Sequence, residues 1–264
     1  WDGLDNFCWC DPVLSEKTPD GPYKMAQLVR ANQALLDYCV PLNLPLISGK
    51  DSMKNDFYDG TTKISIPPTL LFSVIGTIPD IRNAVTMDFK RSGDIICLLG
   101  ETRDELGGSE YLAMQGYTGS KVPKVDVTSA LARYKALHRA IMSGLVASCH
   151  DLSDGGLAVA VAESAFAGGF GCRVALGNVR FEGDQRYRSD EVLLFSESAS
   201  RLLVTIHPAQ WPAFEEAMAG TAYSQIGQVT AEATVSIDGI EGKNVLQAAL
   251  SQLKEAWQRP LKEL

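Results

Sequence analysis

The stretch HDLSDGGLAVAVAES, residues 150–164, reads as the end of a strand, a polar loop and a helix of small residues. Asp151 and Asp154 lie three positions apart, and two glycines follow them. Paired glycines let a helix N-terminus approach a ligand, and that terminus attracts anions. Mg²⁺ binds carboxylates and phosphate oxygens together, so the pattern fits a metal-bound phosphate. An ordinary alternative stays open, with Asp154 as a helix N-cap and His150 as a structural loop residue.

A second polar loop occurs in PLISGKDSMKND, residues 45–56, where a short apolar run ends in glycine, lysine, aspartate and serine. The nucleotide-binding P-loop needs a glycine five positions before Gly49, and that position is Leu44. The stretch is therefore not a P-loop. It is either a different kind of ligand-binding loop or a polar turn after a strand.

Two further stretches carry polar clusters. ELGGSEY, residues 105–111, has adjacent glycines that suit either a phosphate or a tight turn. FSESASR, residues 195–201, ends in Arg201, which fits either a carboxylate or phosphate clamp or a charge at a strand edge. None of these motifs identifies a function alone.

The alternation of helical and strand patterns predicts an α/β chain of two packed layers, with a boundary near residues 80–92. Apolar spacing predicts a helix over 24–40, closed by prolines. GDIICLLGE, residues 93–101, predicts a strand covered on both faces.

Two more helices are predicted in the second domain. Asp126 is placed to cap a helix that runs through Met142, with Gly144 as its stop. A last helix is predicted over Lys243–Gln258, ending before Pro260.

Composition limits the kinds of function. The 264 residues are 45% hydrophobic and 21% charged, which suits a globular chain with a large core. The net charge of −8 disfavours nonspecific nucleic-acid binding, which needs surplus Lys and Arg. No run approaches the roughly 20 apolar residues of a membrane helix.

Six cysteines in mostly apolar surroundings predict reduced thiols and a cytoplasmic protein. Because the chain starts at Trp1, we expect it to be a piece of a longer protein.

The order of the motifs is more specific than any one of them. From Asp2 to about Ile237 the chain resembles the second half of the phosphoribosylformylglycinamidine synthase family, on these stretches: GLDNFCWCDP, LISGKDSMKND, TLLFSVIGTIPD, GDIICLLGETRDELGGSEY, HDLSDGGLAVAVAES and FSESASR. ELGGSEY and Asp-x-x-Asp-Gly-Gly are shared by the wider aminoimidazole ribonucleotide synthetase-like superfamily, which includes selenophosphate synthetase and thiamine monophosphate kinase.

The resemblance implies an ATP-dependent ligase of purine synthesis. In that family ATP phosphorylates an amide oxygen of formylglycinamide ribonucleotide and leaves as ADP. Ammonia from a glutaminase then attacks the resulting iminophosphate and displaces phosphate. Expected cofactors are ATP or ADP and Mg²⁺. Expected partners are the first half of the synthetase and the glutaminase. The resemblance also implies an N-terminal sheet-and-helix domain, residues 1–88, and a C-terminal α/β domain, residues 89–264. The sheet of domain 1–88 is expected to pair with that of a second such domain into a barrel, so the isolated chain should form a homodimer.

The resemblance also implies roles for individual residues. Nucleotide contacts are expected from Asp2, Gly49, Lys50 and Ser153. Substrate contacts are expected from Ser52, Glu197 and Ser198, and magnesium contacts from Asp151 and Asp51. Lys50 departs from the small forms of the enzyme, which have a magnesium-binding Asn there; a charged lysine cannot bind the metal but can pair with phosphate.

The family's catalytic histidine and glutaminase cysteine have no match in this chain. We therefore expect no catalytic residue in this half and no synthetase activity from the chain alone. Two alternatives remain open: a structural half that holds nucleotide without turnover, and a complete superfamily enzyme of another specificity, of the selenophosphate synthetase or thiamine monophosphate kinase type.

Overall fold

The computed structural model describes residues 1–16 and 18–262. The chain forms two compact units, the first ending at Pro79 and the second beginning at Asp80. Among the described residues no helix is long and apolar enough to cross a membrane. Each unit has its own sheet, and the mixture of helices and sheets is the α/β class that the sequence predicts.

The division between the units lies at the start of the 80–92 range that the sequence pattern predicts, and earlier than the boundary between residues 88 and 89 that the resemblance implies. The segment after Pro79 packs with the second unit. Phe89 is 1% exposed within the core of that unit, and its amide donates to Ser164 O at 3.0 Å. Cys149 N likewise donates to Thr86 O at 3.1 Å. Burial of this segment, which its short local sequence does not reveal, moves the boundary.

Five short strands form the sheets in the described part of the first unit. They are β1 (Asp2–Cys8), β2 (Leu46–Gly49), β3 (Asp56–Tyr58), β4 (Lys63–Ser65) and β5 (Thr69–Ile75). The main sheet has the order β2-β1-β5, with β1 parallel to β2 and antiparallel to β5, and β3 and β4 form a separate hairpin. The three-stranded sheet is open, with β2 and β5 at its edges.

One long helix, α1 (Gly21–Leu42), packs on this sheet. The ring of Tyr38 meets that of Phe72 on β5 edge to face, with centroids 6.3 Å apart. The helix continues through Pro41, whereas the sequence predicted an end at residue 40. Pro41 lies in the last turn, so the one i→i−4 hydrogen bond that its missing N–H removes is at the end of the helix. Asn43, with φ 50°, ends the helix in the left-handed conformation.

The second unit contains a seven-stranded sheet. Its strands are β6 (Ile95–Leu99), β7 (Ser148–Asp151), β8 (Gly171–Ala175), β9 (Leu202–Ile206), β10 (Tyr223–Thr230), β11 (Thr234–Asp238) and β12 (Asn244–Ala249). Their order is β12-β11-β8-β10-β6-β9-β7, antiparallel except for β11 beside β8.

Six α-helices accompany this sheet within the described residues. They are α2 (Glu110–Met114), α3 (Val127–Met142), α4 (Gly156–Gly168), α5 (Asp190–Phe195), α6 (Trp211–Ala217) and α7 (Leu250–Lys262). Helix α4 packs with α5 and α7, and α3 packs with α6. The sequence predicted one helix over 243–258, which is wrong for its first part, because β12 occupies 244–249 and pairs with β11.

Strand β6 lies between the two apolar cores of the second unit. Ile96 and Leu98 belong to the core under α4, while Cys97 and Leu99 belong to the core under α3 and α6. All four are 0% exposed. Alternate side chains therefore enter opposite faces, as the continuous apolar run predicts for a strand covered on both sides.

Candidate functional site

The polar loop between β7 and α4 is shaped by its two glycines. Gly155 caps α4 with φ 79°, and Gly156 begins the helix with φ 62°. A Cβ atom on Gly156 would lie 2.5 Å from Ser196 O, so only glycine allows the segment before β9 to approach this closely. The N-cap is Gly155 and not Asp154, which is exposed in the turn.

Asp151 and Ser153 are joined in this loop. Ser153 Oγ donates to Asp151 Oδ2 at 2.6 Å. This hydrogen bond lowers the pKa of Asp151 below its ordinary value, so the side chain is a carboxylate at neutral pH. The Asp151 side chain is 68% exposed and is open to a ligand.

Glu197 connects the glycine loop to the ELGGSEY segment. Its Oε1 accepts from Gly155 N at 2.9 Å and from Glu110 N at 3.1 Å. The ring of Tyr111 stacks on Phe195 with centroids 4.6 Å apart. The three separate motifs of the second unit thus meet around one carboxylate. The sequence singled out Glu197 as a substrate contact and did not foresee that one of its oxygens holds two backbone amides.

Ser198, the residue after Glu197, is buried. It is 0% exposed, and its Oγ accepts from Arg103 N at 3.0 Å. A contact with substrate, as the sequence led us to expect, requires this segment to open.

Arg201 is buried behind the same segment. It is 1% exposed, and its guanidinium donates to Thr102 Oγ1 at 2.9 Å, to Ser198 O at 2.9 Å and to Ser196 O. Burial lowers its pKa to about 10. The sequence left two interpretations of Arg201 open, a ligand clamp and a charge at a strand edge. The structure shows neither, because the side chain holds the loop that carries Glu197.

ELGGSEY forms a turn before α2. The amide of Leu112 is capped by Ser109 Oγ at 3.3 Å, and a Cβ on Gly107 would lie 2.6 Å from the backbone of Lys121. Close packing on Lys121 explains this glycine, which agrees with the tight-turn alternative.

In the first unit, the loop after β2 is locked to β1 by backbone hydrogen bonds. Lys50 N donates to Asp5 O at 3.0 Å, and Ser52 N donates to Phe7 O at 2.7 Å. Lys50 Nζ donates to Ser52 Oγ at 3.0 Å, so an ammonium and a hydroxyl are presented together. Asp51, between them, is exposed.

Asp5, which sequence reasoning missed, lies beside this loop. Gly49 pairs with Asp5 across β1 and β2, and a Cβ on Gly49 would lie 2.6 Å from Asp5 Oδ1. Asp2, the residue predicted to contact nucleotide, starts β1 opposite Ile75, whereas the 50–52 loop passes the other end of that strand at Cys8. Six residues of strand separate the two ends by about 20 Å. The strand register was the signal that could have identified Asp5.

No group of three or more His, Cys, Asp or Glu side chains that could hold a metal occurs in the part of the chain that the structure describes. Asp151 with Ser153, and Asp51 alone, are therefore incomplete donor sets. Mg²⁺ commonly takes one or two carboxylates and completes its shell with water and phosphate oxygens. Asp151 fits that pattern because it is ionised and exposed.

The fold defines a class of proteins. Thermotoga maritima PurL complexed with FGAR matches with a TM-score of 0.71 at 18% identity, over 96% of this chain and 39% of that chain. Escherichia coli HypE, a hydrogenase maturation protein, matches with a TM-score of 0.64 at 15% identity, over 94% of this chain and 71% of that chain. The chain thus has the fold that these two proteins share.

The family follows from the sequence. The domain described as AIR synthase related protein, C-terminal domain, matches residues 91–240, and this chain belongs to that family. The phosphoribosylformylglycinamidine synthase subunit PurL of Alkaliphilus metalliredigens is 38% identical over 250 residues, which is 94% of this chain. The chain spans about a third of that relative's length, 32%. The resemblance drawn from the motifs is confirmed.

Proposed function

We propose that this chain is the C-terminal half of an ATP-dependent synthetase that converts formylglycinamide ribonucleotide to the amidine. The observation that carries the proposal is the 38% identity with a PurL subunit over 94% of the chain. The reaction class is a C–N bond-forming ligase: ATP phosphorylates an amide oxygen to give an iminophosphate and ADP, and ammonia attacks the iminophosphate carbon and displaces phosphate. Such chemistry depends on positioning and charge neutralisation.

Nucleotide binding is supported by the structural neighbours, since T. maritima PurL is described in complexes with ATP, ADP and AMPPCP. In this chain we assign the nucleotide phosphates to the loop that contains Asp151 and Ser153. When bound, Mg²⁺ would neutralise phosphate charge there. Asp151 would hold the metal through its exposed carboxylate, and Ser153 orients that carboxylate through its hydrogen bond.

In the first unit, we assign an anionic ligand to the loop of Lys50 and Ser52. The Lys50 ammonium supplies the positive charge that a bound metal ion would otherwise bring. Its hydrogen bond to Ser52 Oγ holds the ammonium and the hydroxyl together. Asp5 is proposed in place of Asp2 as the carboxylate of β1 nearest this loop. Asp51 stays a proposed metal contact on the strength of its exposure alone.

The remaining proposals concern partners and location. The first half of the synthetase is the expected partner, because the chain spans only 32% of the PurL relative. T. maritima PurL is also described within PurLQS, which supports a glutaminase partner as ammonia source. Self-association through the first sheet is supported by its open edge at β5 and by Leu71 and Ile75, which are 61% and 52% exposed. A purine-synthesis role supports a cytoplasmic location.

The experiment is calorimetric titration of the chain with Mg-ADP and Mg-ATP, alone and with the first half added, followed by a synthetase assay. Strong weakening by Asp151→Asn supports the nucleotide site on this loop. Amidine formation only after the first half is added supports the half-enzyme. Turnover of ATP, ammonia and the ribonucleotide by the chain alone contradicts it.

A second candidate is a half that stores nucleotide without chemistry. It is favoured by the exposed, ionised carboxylate of Asp151 beside the hydroxyl of Ser153, in a loop where we expect no catalytic residue. In the reconstituted enzyme, Asp151→Asn would then lower stability or assembly while kcat stays near the wild-type value. A matching loss of kcat instead indicates the catalytic role.

A further inference from the structure

Three side chains form a line that ends in the proposed nucleotide loop. Glu163 Oε2 lies 2.8 Å from His150 Nε2, and His150 Nδ1 lies 3.3 Å from Asp151 Oδ1. Ser153 Oγ holds the other oxygen of Asp151 at 2.6 Å. Both oxygens of this carboxylate thus have a protein partner, although its side chain is 68% exposed.

The elements of the fold explain why these groups meet. His150 and Asp151 are the last two residues of β7, and Glu163 lies on α4, the helix that begins just after the loop. The His150 side chain is only 15% exposed, and that of Glu163 is 25% exposed. The imidazole is therefore fixed between strand and helix, while the side chain that it contacts points to solvent.

The simplest account is that the pair of His150 and Glu163 only braces α4 against β7. A brace uses one imidazole nitrogen. It does not explain why the second nitrogen faces the exposed carboxylate of Asp151, which is the group available to a ligand. An exposed aspartate held by neighbours on both oxygens loses less rotamer freedom when it binds a cation.

We propose that Glu163 is a positioning residue that acts through the His150 imidazole to hold Asp151 in the orientation that binds a phosphate-bound divalent cation. The proposal rests on the proposed function, because it requires a metal–nucleotide complex at this loop. In this proposal Glu163 itself contacts neither the cation nor the phosphate. Outer partners of metal-binding side chains typically change metal affinity by roughly 10- to 100-fold when removed.

The first test is Glu163→Ala in the full chain, alone and reconstituted with the first half. ADP affinity is measured by calorimetry with Mg²⁺ and with a chelator. We expect the Mg²⁺-dependent gain in ADP affinity to fall roughly 10-fold, while metal-free affinity is unchanged. The matched control is Glu216→Ala, the same change at an exposed carboxylate of α6, on the opposite face of the sheet.

Two substitutions at His150 separate positioning from bracing. In His150→Asn the amide nitrogen falls near the place of Nδ1 and can still reach Asp151 but not Glu163. In His150→Gln it falls near the place of Nε2 and keeps the Glu163 contact. Positioning predicts that Asn retains more of the Mg²⁺-dependent affinity than Gln, even where Gln retains the higher Tm. The reverse order of affinities overturns the proposal.

A double variant tests whether the effect passes through Asp151. In an Asp151→Asn background, Glu163→Ala should produce no further loss of Mg²⁺-dependent affinity. If Glu163→Ala lowers the Mg²⁺-dependent ADP affinity equally in both backgrounds, the inference is overturned. It is also overturned if Glu163→Ala binds ADP like the wild type while Asp151→Asn binds more weakly. In that second case the proposed nucleotide site still stands. Absence of Mg²⁺-dependent ADP binding in both wild-type preparations overturns the nucleotide site and the inference together.

Discussion

The close approach of the segment before β9 to the start of α4 can be tested at a single glycine. Gly156→Ala places a methyl group 2.5 Å from Ser196 O and 2.9 Å from Leu194 O, at a residue with φ 62°. Gly169, at the other end of the same helix, has φ 74° and open space where a Cβ would lie. The pair of variants shares the backbone strain and differs in the overlap.

The magnitudes follow from these two terms. A left-handed alanine costs about 1–2 kcal/mol of unfolding free energy at either position. Overlap in a packed site adds about 1–3 kcal/mol at Gly156 alone. For a unit of this size, 1 kcal/mol lowers Tm by roughly 2–4 °C, so Gly156→Ala should melt roughly 2–12 °C below Gly169→Ala.

Calorimetry of both variants measures this difference, and hydrogen exchange at the Gly155 amide gives a local readout. We expect faster exchange in Gly156→Ala, because displacement of the 196–198 segment withdraws Glu197 Oε1 from Gly155 N. Equal melting temperatures for the two variants, with unchanged exchange at Gly155, would refute the argument that the glycine is required by close packing.

Three further predictions concern charged groups. Arg201→Met should destabilise the second unit by about 3 kcal/mol or more, because it leaves buried acceptors unpaired, and calorimetry measures the loss. Lys50→Ala should weaken ADP or inorganic phosphate binding by roughly 10- to 100-fold in titrations, whereas Lys54→Ala, at a lysine 3.9 Å from an aspartate, should not. Ser153→Ala should raise the pKa of Asp151 toward 3.8, as NMR titration would show. The pKa of Asp151 is lowered in the folded state. The variant should therefore be less stable than the wild type at neutral pH, and this difference in stability should vanish as the pH falls below the wild-type pKa of Asp151.

Elements with strong local signals could be predicted from the sequence. Helix α3 begins and ends as expected, because Asp126 accepts hydrogen bonds from the amides of Thr128 and Ser129, and Gly144 adopts φ 68° after the last turn. The same holds for β6, whose apolar run is long enough for a strand and too short for a helix. In both cases the deciding interactions lie within a few residues of one another.

The segment 243–258 shows where local pattern fails. Its apolar residues fit a helical spacing, yet Asn244–Ala249 pairs with β11 after a turn in which Gly239 N donates to Lys243 O at 2.8 Å. Gly242, with φ 76°, supports the turn. Pairing with a strand already in the sheet outweighs the helical preference of six residues, and no window along the sequence contains that information.

The candidate site was predictable in its parts and not in its assembly. The sequence identified each loop as polar and glycine-rich, but the meeting of three loops at Glu197 depends on contacts between residues 42 and 87 positions apart. Likewise, only the pairing of β1 with β2 shows that Asp5 lies beside Gly49 and that Asp2 does not. Strand register decides which of two nearby aspartates reaches a loop.

The first backbone amides of α4 already donate to groups of the protein itself. The sequence suggested that the helix N-terminus itself attracts phosphate, but Gly155 N already donates to Glu197, and Gly156 N donates to Ser153 O at 3.0 Å. In an acidic chain of net charge −8, a loop whose first amides are used by the protein must obtain positive charge elsewhere. In the proposed site Asp151 does so by binding a cation that arrives with the phosphate. Lys50, in the other unit, brings positive charge to its loop through its own side chain.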